Sequence, residues 1–260
     1  MKQIVQDINT LAHYLGKRDL NTLDTTLLKQ NYGIEQVDVF VLFGGSILCG
    51  GDVLADAIKS KIAKKYIIVG GAGHTTDTLK NVVKKIYPNM NTKNLTEAEI
   101  FAYYLKEKYN LDVNALETKS TNCGNNITYL LELLQKEQID FNSIILCQDA
   151  TMQYRMEATL RKYVSHKLII NYASYQVHAC DCDNRIEFKE SINGMWDIER
   201  YIQLLMGEIP RLQDDENGYG PKGKGYLVHI DVPKEVLCAF HRLKARYNVR
   251  TANPKFATSK

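Results

Sequence analysis

The chain has 260 residues, of which 45% are hydrophobic and 24% are charged, so its composition is that of an ordinary globular protein with one large domain or one domain and an appendage. The formal net charge of +3 is small for this length and gives no reason to predict a nucleic-acid partner. No apolar stretch reaches the roughly 18 residues that a membrane-spanning helix needs, and residues 1–18 lack the unbroken apolar core of a signal peptide, which predicts a cytoplasmic protein.

Strands and helices alternate through the first two thirds of the chain. Residues 2–31 predict helices that cap a sheet, because apolar residues recur there at helical spacing. The predicted strands are 37–43, 66–69, 115–118, 143–147 and 167–172. The predicted helices between them are 52–65, 75–86, 96–108, one that ends near residue 135, and 151–163. This alternation indicates an α/β fold: a Rossmann-like parallel sheet of about five strands with helices on both faces.

The pattern weakens after residue 174 and returns as a smaller, mostly helical C-terminal appendage. Its predicted elements are a helix at 195–206, a Gly-, Pro- and Asp-rich loop at 208–225, a strand at 226–230, a helix at 233–247 and a frayed tail at 251–260. We predict a core of residues 1–175, which includes the N-terminal capping helices, and an appendage of residues 176–260 that packs on it. The last sixty residues hold ten lysines and arginines against six acidic residues, which a solvated helix face explains better than a binding patch does.

Glycine-rich or polar segments follow three of the predicted strands directly. Gly44, Gly45 and Ser46 follow the first strand, residues 70–74 (GGAGH) follow the second, and residues 148–151 (QDAT) follow the fourth. Ligands of open parallel sheets bind outside the carboxyl ends of the strands, so one ligand site is predicted at this edge. Neither glycine segment is a Walker loop or a dinucleotide fingerprint, and a tight turn would need the same small residues.

The candidate catalytic pair is His74 with Asp149. Histidine titrates near neutral pH and therefore suits general acid–base chemistry, and Asp149 lies two residues past a buried strand. A helix-capping role explains either residue about as well.

The candidate ligand-binding residues are glycines and polar side chains at the same sheet edge. Glu97 is the better ligand-facing carboxylate, because Glu99 has the alternative role of completing a capping box with Thr96. Arg155 either pairs with Asp149 or faces an anionic ligand. The full set is Gly44, Gly45, Ser46, Gly70, Gly71, Gly73, Glu97, Glu99, Ser120, Thr121, Asn122, Asn125, Thr151 and Arg155. The loop at 210–225 is predicted to close over this set.

His178, Cys180 and Cys182 form the cluster that most resembles a metal site. Structural zinc sites pair thiolates at Cys-x2–4-Cys spacing and need a second pair, whereas this chain has only Cys-x-Cys. We therefore predict no metal. Cys49, Cys147 and Cys238 have apolar neighbours in the sequence and are predicted to be reduced core residues.

The succession of these motifs resembles the bacterial YdcF proteins, which belong to a domain-of-unknown-function family that also includes SanA and ElyC. The motifs are GGS (44–46), GGAGH (70–74), TEAE (96–99), STNCGNN (120–126), QDATMQYR (148–155) and WDIERYIQLLMGEIPRL (196–212). The similarity continues through residues 214–233 and so covers nearly the whole chain.

The resemblance implies a Rossmann-like core with a smaller helical appendage, and a protein without the membrane anchor of SanA and ElyC. It also implies a nucleotide-like ligand, with S-adenosylmethionine the usual candidate for this branch, and no settled reaction. By motif position the implied pocket residues are Gly45, Ser46, Gly71, His74, Glu97, Glu99, Asn122, Asn125, Asp149 and Arg155.

Three functions remain open at this point. The first is a cytoplasmic protein that binds a nucleotide-type small molecule, S-adenosylmethionine before others, with transferase chemistry as an extension. The second is a hydrolase or transferase that acts on a phosphorylated or sugar substrate through His74 and Asp149. The third is a non-catalytic partner in envelope homeostasis that docks through its basic C-terminal helix. Whether the protein is an enzyme, and its oligomeric state, stay undecided, since one architecture hosts many unrelated activities.

Overall fold

The computed structural model describes residues 1–73 and 75–251 of the chain. The helices are α1 (Lys2–Leu15), α2 (Thr25–Tyr32), α3 (Cys49–Lys59), α4 (Thr76–Ile86), α5 (Glu97–Tyr109), α6 (Cys123–Lys136), α7 (Gln153–Tyr163), α8 (Ile198–Leu212) and α9 (Lys234–Lys244). The strands are β1 (Val37–Phe43), β2 (Ala63–Val69), β3 (Ala115–Glu117), β4 (Ser143–Cys147), β5 (Leu168–Asn171), β6 (Ala179–Cys182) and β7 (Arg185–Phe188).

A five-stranded sheet in the order β3-β2-β1-β4-β5 forms the centre of the protein, and all of its neighbouring strands run parallel. The chain moves outward from β1 in one direction to β3 and then returns to place β4 on the other side of β1. This reversal of direction leaves a crevice between the carboxyl ends of β1 and β4. The predicted α/β Rossmann-like fold is confirmed.

Alternating side chains of β1 enter the two helical layers. Phe40 and Leu42 pack with buried residues of α3 and α5 on one face. Val39, Val41 and Phe43 pack with α6 and α7 on the other face. A strand buried on both faces in this way is built from a nearly continuous run of apolar residues, which is why VDVFVLF was recognisable as a strand.

The C-terminal part packs around α8, which is buried on nearly all sides. The apolar stripe of α1, which includes Leu11 and Leu15, contributes to the same cluster as Ile202 of α8 and Phe240 of α9. The guanidinium of Arg242 on α9 also donates to both carboxylate oxygens of Asp7 on α1, at 2.9 and 2.6 Å. The first helix therefore packs mainly against the appendage, although it lies in the predicted core range of the sequence.

Three predicted segments are wrong. The helix placed at 52–65 begins at Cys49 and ends at Lys59, because Lys61 adopts a left-handed φ of 54° and residues 63–65 join β2. The helix predicted to stop at 206 continues to Leu212 and includes Pro210 in its last turn. Residues 226–230 form no strand.

The backbone around the rejected strand has other partners. The N–H groups of Tyr226 and Leu227 donate to the Tyr219 carbonyl, and that of Val228 donates to the Ala158 carbonyl.

The antiparallel hairpin of β6 and β7 was not predicted. Most of the predicted tail, residues 252–260, lies outside the described residues. None of the helices in the described ranges is long and apolar enough to cross a bilayer.

Replacing Leu11 with alanine tests how far α1 supports the C-terminal part. Leu11 has no solvent exposure, so Leu11→Ala leaves a cavity and should lower the free energy of unfolding by about 2–5 kcal/mol in urea denaturation. Gln6 is exposed on the same helix, and Gln6→Ala should change that free energy by less than about 0.5 kcal/mol. Equal effects of the two substitutions would contradict the packing of α1 described above.

Candidate functional site

A pocket opens at the carboxyl edge of the central sheet. It contains about 570 Å³ of space free of protein atoms, part of it continuous with solvent. Its walls come from the segments after β1, β2, β3 and β4 and from the start of the C-terminal part. The lining residues are Gly44, Gly45, Ser46, Gly71, Gly73, Thr75, Glu97, Ser120, Thr121, Asn122, Cys123, Asn126, Gln148, Asp149, Thr151, Met152, Trp196 and Leu204.

Most of the candidate residues from the sequence meet in this pocket. Those that line it are Gly44, Gly45, Ser46, Gly71, Gly73, Glu97, Ser120, Thr121, Asn122, Asp149 and Thr151. Gly70, Glu99, Asn125 and Arg155 are not among the lining residues. His74 lies outside the described residues, so its predicted role stays a prediction.

Gly44 and Gly70 allow the first turn of α5 to approach the sheet. The N–H groups of Glu97 and Ala98 donate to the carbonyls of Gly71 and Gly70 at 3.0 and 2.8 Å. A Cβ on Gly70 would lie 3.0 Å from the Cβ of Glu97, and one on Gly44 would lie 2.6 Å from its Oε2. Close packing against α5 therefore accounts for Gly70, and its predicted ligand contact stays a prediction.

Glu97 is a buried carboxylate at the pocket wall. The hydroxyl groups of Thr75 and Thr76 both donate to its Oε1, at 2.7 and 2.8 Å. Burial raises the pKa of Glu97, and the two hydroxyl donors oppose that rise. The carboxylate predicted to face the ligand is thus at the pocket, and the side-chain hydrogen bonds that it accepts from described residues go to one of its two oxygens.

Glu99 has the capping role that the sequence offered as the alternative. Its Oε2 accepts hydrogen bonds from the N–H and the hydroxyl of Thr96, each at 2.8 Å, and its own N–H donates to the Thr96 hydroxyl. These bonds lower the pKa of Glu99. The capping box is confirmed, and it accounts for the absence of Glu99 from the pocket lining.

The segment between β3 and α6 is held by its own polar groups. The Gly71 N–H donates to the Ser120 hydroxyl at 3.1 Å, which joins this segment to the one after β2. Asn122 caps α6 by accepting from the Asn125 N–H at 3.0 Å, and its amide donates to Asn125 Oδ1 at 2.6 Å. The side chain of Asn125 therefore supports the turn from outside the pocket lining.

Asp149 accepts hydrogen bonds from three residues. Its Oδ1 accepts from the N–H and hydroxyl of Thr151, at 2.9 and 2.7 Å, and from the Tyr175 hydroxyl at 2.7 Å. Its Oδ2 accepts from the indole N–H of Trp196 at 3.1 Å. Both oxygens thus have protein donors, so the carboxylate fixes Trp196 at the pocket. Its predicted acid–base partnership with His74 remains untested.

Two buried polar atoms in the pocket lining, Ser46 Oγ and Gln148 Nε2, have no hydrogen-bond partner among residues 1–73 and 75–251. The other end of the Gln148 amide is used, because its Oε1 accepts from the Asp149 N–H at 2.6 Å. More than nine in ten buried polar groups in native proteins are paired, and leaving one unpaired costs about 1–3 kcal/mol. Both atoms lie in the lining of this pocket, where a ligand or water molecules can pair with them.

Arg155 is held away from the pocket by Glu208. Its Nη2 donates to Glu208 Oε1 at 3.0 Å and its Nε donates to Oε2, in a buried pair between α7 and α8. The predicted pairing with Asp149 is therefore wrong. Among the described residues that line the pocket there is no lysine or arginine, whereas two, Glu97 and Asp149, are acidic.

The predicted closing loop does not reach the pocket. None of residues 210–225 lines it, and the C-terminal part contributes Trp196 and Leu204 instead. Trp196 could have been singled out as the chain's one tryptophan, at the start of a motif already noted, and Gln148 as the residue directly after β4. Among the described residues, no group of three or more His, Cys, Asp or Glu side chains is placed to hold a metal ion.

Comparison with known proteins adds little to this geometry. No protein-family model matches the chain. Among solved structures, the chain is similar to the crystal structure of the E. coli tRNA N6-threonylcarbamoyladenosine dehydratase, TcdA, with 13% identity over 85% of this chain and 92% of that chain. The TM-score is 0.32, and a similarity at this level supports neither a family nor a function for the chain.

Two neighbouring glycines should respond differently to alanine. A Cβ on Gly44 meets Glu97 at 2.6 and 2.8 Å, so Gly44→Ala should lower the free energy of unfolding by about 1–3 kcal/mol. Among the described residues, a Cβ on Gly45 meets only Gln148 Oε1, at 3.6 Å, so Gly45→Ala should leave that free energy nearly unchanged while filling pocket space. Urea denaturation of both variants measures the difference, and an equal loss in both would refute the assignment of Gly45 to the pocket.

The buried carboxylate of Glu97 should make stability depend on pH. Because its pKa is raised from an ordinary value of 4.5, the folded protein holds the proton more tightly than the unfolded chain does. The stability that Glu97 contributes is therefore present at low pH and is lost as pH rises through the folded pKa. The loss is about 1.4 kcal/mol for each unit by which folding raises the pKa. Denaturation of wild type and Glu97→Gln from acid to neutral pH should show wild type losing stability relative to the variant.

Glu99 provides a control, because its effect on stability should change with pH in the opposite direction. Its pKa is lowered, so its contribution is present above its ordinary pKa and is lost as pH falls. Glu99→Gln should therefore be the less stable protein at neutral pH, and its difference from wild type should shrink in acid. The same trend for both variants would show that their environments do not differ as described.

Proposed function

We propose that the protein binds a nucleotide-type small molecule that carries positive charge, and that S-adenosylmethionine is the first candidate. The observation that carries the proposal is a pair of buried atoms in the pocket lining, Ser46 Oγ and Gln148 Nε2, for which the described residues offer no hydrogen-bond partner. A hydroxyl and an amide donor can bind the hydroxyl groups and ring nitrogens of a nucleoside. Both residues follow strands at the β1–β4 crevice, where Rossmann-like proteins bind nucleotides.

The charges at the pocket favour a cationic ligand over a polyphosphate. Glu97 and Asp149 line the pocket, and the nearest candidate cation from the sequence, Arg155, is paired with Glu208. Like charges repel strongly in a partly buried site, because the local dielectric constant is lower than that of water. The sulfonium and ammonium groups of S-adenosylmethionine fit this environment, and a carboxylate such as Glu97 is suited to bind either one.

The remaining wall of the pocket suits a flat ring. Trp196, Met152 and Leu204 supply aromatic and apolar surface beside the polar groups. Ligand pockets commonly combine such surface with a few fixed polar atoms. The indole of Trp196 is held by Asp149, so the ring is positioned before a ligand arrives. Transfer of a group from the bound molecule is an extension that rests on S-adenosylmethionine as the ligand.

The sole tryptophan makes the binding test direct, because its fluorescence reports on the pocket alone. Titration with S-adenosylmethionine should quench or shift the Trp196 emission with saturation, and calorimetry should give the same affinity. S-adenosylhomocysteine, which lacks the sulfonium charge, should bind more weakly, and ATP should bind at least tenfold more weakly. Saturable binding of ATP without binding of S-adenosylmethionine would exclude the cationic ligand. No binding of any of the three would exclude the proposal.

Ser46→Ala separates ligand binding from folding. The variant loses one hydrogen bond to the ligand, worth about 1 kcal/mol, so affinity should fall about fivefold. Its thermal stability should be unchanged or higher, because an unpaired buried hydroxyl is removed. Ser60→Ala is the matched control, since the Ser60 hydroxyl donates to the Ala57 carbonyl and does not line the pocket. It should leave affinity unchanged.

A further inference from the structure

Cys180 and Cys182 place two thiols in contact on the surface. They lie two residues apart on β6, so their side chains leave the same face of the strand. Their Sγ atoms are 3.4 Å apart. Cys180 is partly buried and Cys182 is exposed. This pair is outside the pocket lining, so the inference does not depend on the proposed function.

The hairpin that carries the thiols is fixed at its base. The side chain of Asn9 on α1 donates to the Ala179 carbonyl at 3.0 Å and accepts from the Ala179 N–H at 2.7 Å. On the paired strand, Phe188 at the end of β7 packs its ring edge-on against Tyr201 of α8, with centroids 5.2 Å apart. These contacts fix the start of β6 and the end of β7 against two helices.

The tip of the same hairpin is open to solvent. Residues 181–185 are all exposed, and the turn residues Asp183 and Asn184 have φ values of 52° and 62°. Small molecules can therefore reach Cys182, and the last residues of β6 can shift without disturbing the core. A disulfide needs its sulfur atoms about 2.05 Å apart, so the thiols must move closer by roughly 1.4 Å.

The other cysteines are in a different environment. Burial raises the pKa of Cys49 to about 12 and also raises the pKa values of Cys123 and Cys147. Cys238 is partly buried on α9. Thiolates are the reactive form of cysteine, so buried thiols with raised pKa values react slowly. Cys180 and Cys182 combine access from solvent with a second thiol already in contact.

We propose that Cys180 and Cys182 are a redox site, in which a low-molecular-weight disulfide such as oxidised glutathione converts the two thiols reversibly to an internal disulfide. The thiolate of Cys182 attacks one sulfur of the oxidised glutathione, which forms a mixed disulfide and releases one glutathione thiolate. The thiolate of Cys180 then attacks the Cys182 sulfur and displaces the second glutathione. In total the protein loses two protons and two electrons, and one oxidised glutathione becomes two reduced molecules.

Exchange at this site should become faster as pH rises. The hydrogen bond shared with Cys180 raises the pKa of Cys182, and neighbouring acidic groups add to the rise. A higher pH therefore increases the thiolate fraction at Cys182 and the rate of the first step.

Mass spectrometry of the folded protein after incubation with oxidised glutathione tests the site. Wild type should lose the mass of two hydrogen atoms, and a peptide containing a Cys180–Cys182 disulfide should appear and vanish again after reduction. Cys180→Ser should instead retain one glutathione group on Cys182, because no second thiol is there to displace it. Cys238→Ser, a variant of a thiol on another element, should behave as wild type.

Three outcomes would overturn the inference. The first is a wild-type protein that retains glutathione at Cys180 or Cys182 and forms no internal bond. The second is a pair that stays fully reduced while unfolded protein reacts under the same conditions. The third is a disulfide that links two protein molecules through Cys182 instead of closing within one.

Discussion

The hydrogen bonds to Asp149 hold the two parts of the protein together at the pocket. This carboxylate lies just after β4 and accepts from Thr151, Tyr175 and Trp196, which belong to three separate segments of the chain. Hydrogen bonds to an ionised group are about twice as strong as those between neutral groups, and a buried carboxylate needs several of them. The position of Trp196, and with it one wall of the pocket, therefore depends on a side chain of the segment that follows β4. The segment before α8 is held at the pocket by a specific polar contact as well as by the apolar packing of the helix.

Glu97, at the same pocket, has a different pattern of hydrogen-bond donors from Asp149. Both oxygens of Asp149 have protein donors, whereas the two hydroxyl groups that bond to Glu97 donate to the same oxygen. The difference follows from the local structure that positions each residue at the pocket. Asp149 sits in a turn with several side chains around it, while Glu97 is brought in by the first turn of α5, which is tied by its backbone to Gly70 and Gly71. A carboxylate with hydrogen bonds to only one oxygen has capacity left for a ligand, which is why we propose Glu97 as a binding residue and Asp149 as an anchor.

The sequence predicted what is local and missed what depends on distant packing. The bounds of β1 and β4 were predicted correctly, because strands buried on both faces leave continuous apolar runs bounded by turn residues. The capping box at Thr96 is likewise a local pattern, and it decides between the two roles offered for Glu99. Arg155 was misplaced because its partner, Glu208, lies 53 residues further along the chain. The strand predicted at 226–230 failed for a related reason: its apolar residues pack in the cluster around α8, and its backbone N–H groups donate to carbonyls of Tyr219 and Ala158.

The unpartnered atoms of the pocket connect the stability of the fold to its function. The Arg155–Glu208 contact between α7 and α8 buries one charge of each sign, and each is paired with the other. Ser46 Oγ and Gln148 Nε2, in contrast, have no partner within the described part of the chain, although both residues line the pocket beside Gly45. Each such atom costs the folded state about 1–3 kcal/mol until something bonds to it. A bound molecule that pairs with these atoms therefore removes a destabilisation of the folded protein, and this contributes part of its binding free energy. At these two residues stability and affinity oppose each other, as they do where a protein keeps a site prepared for a ligand.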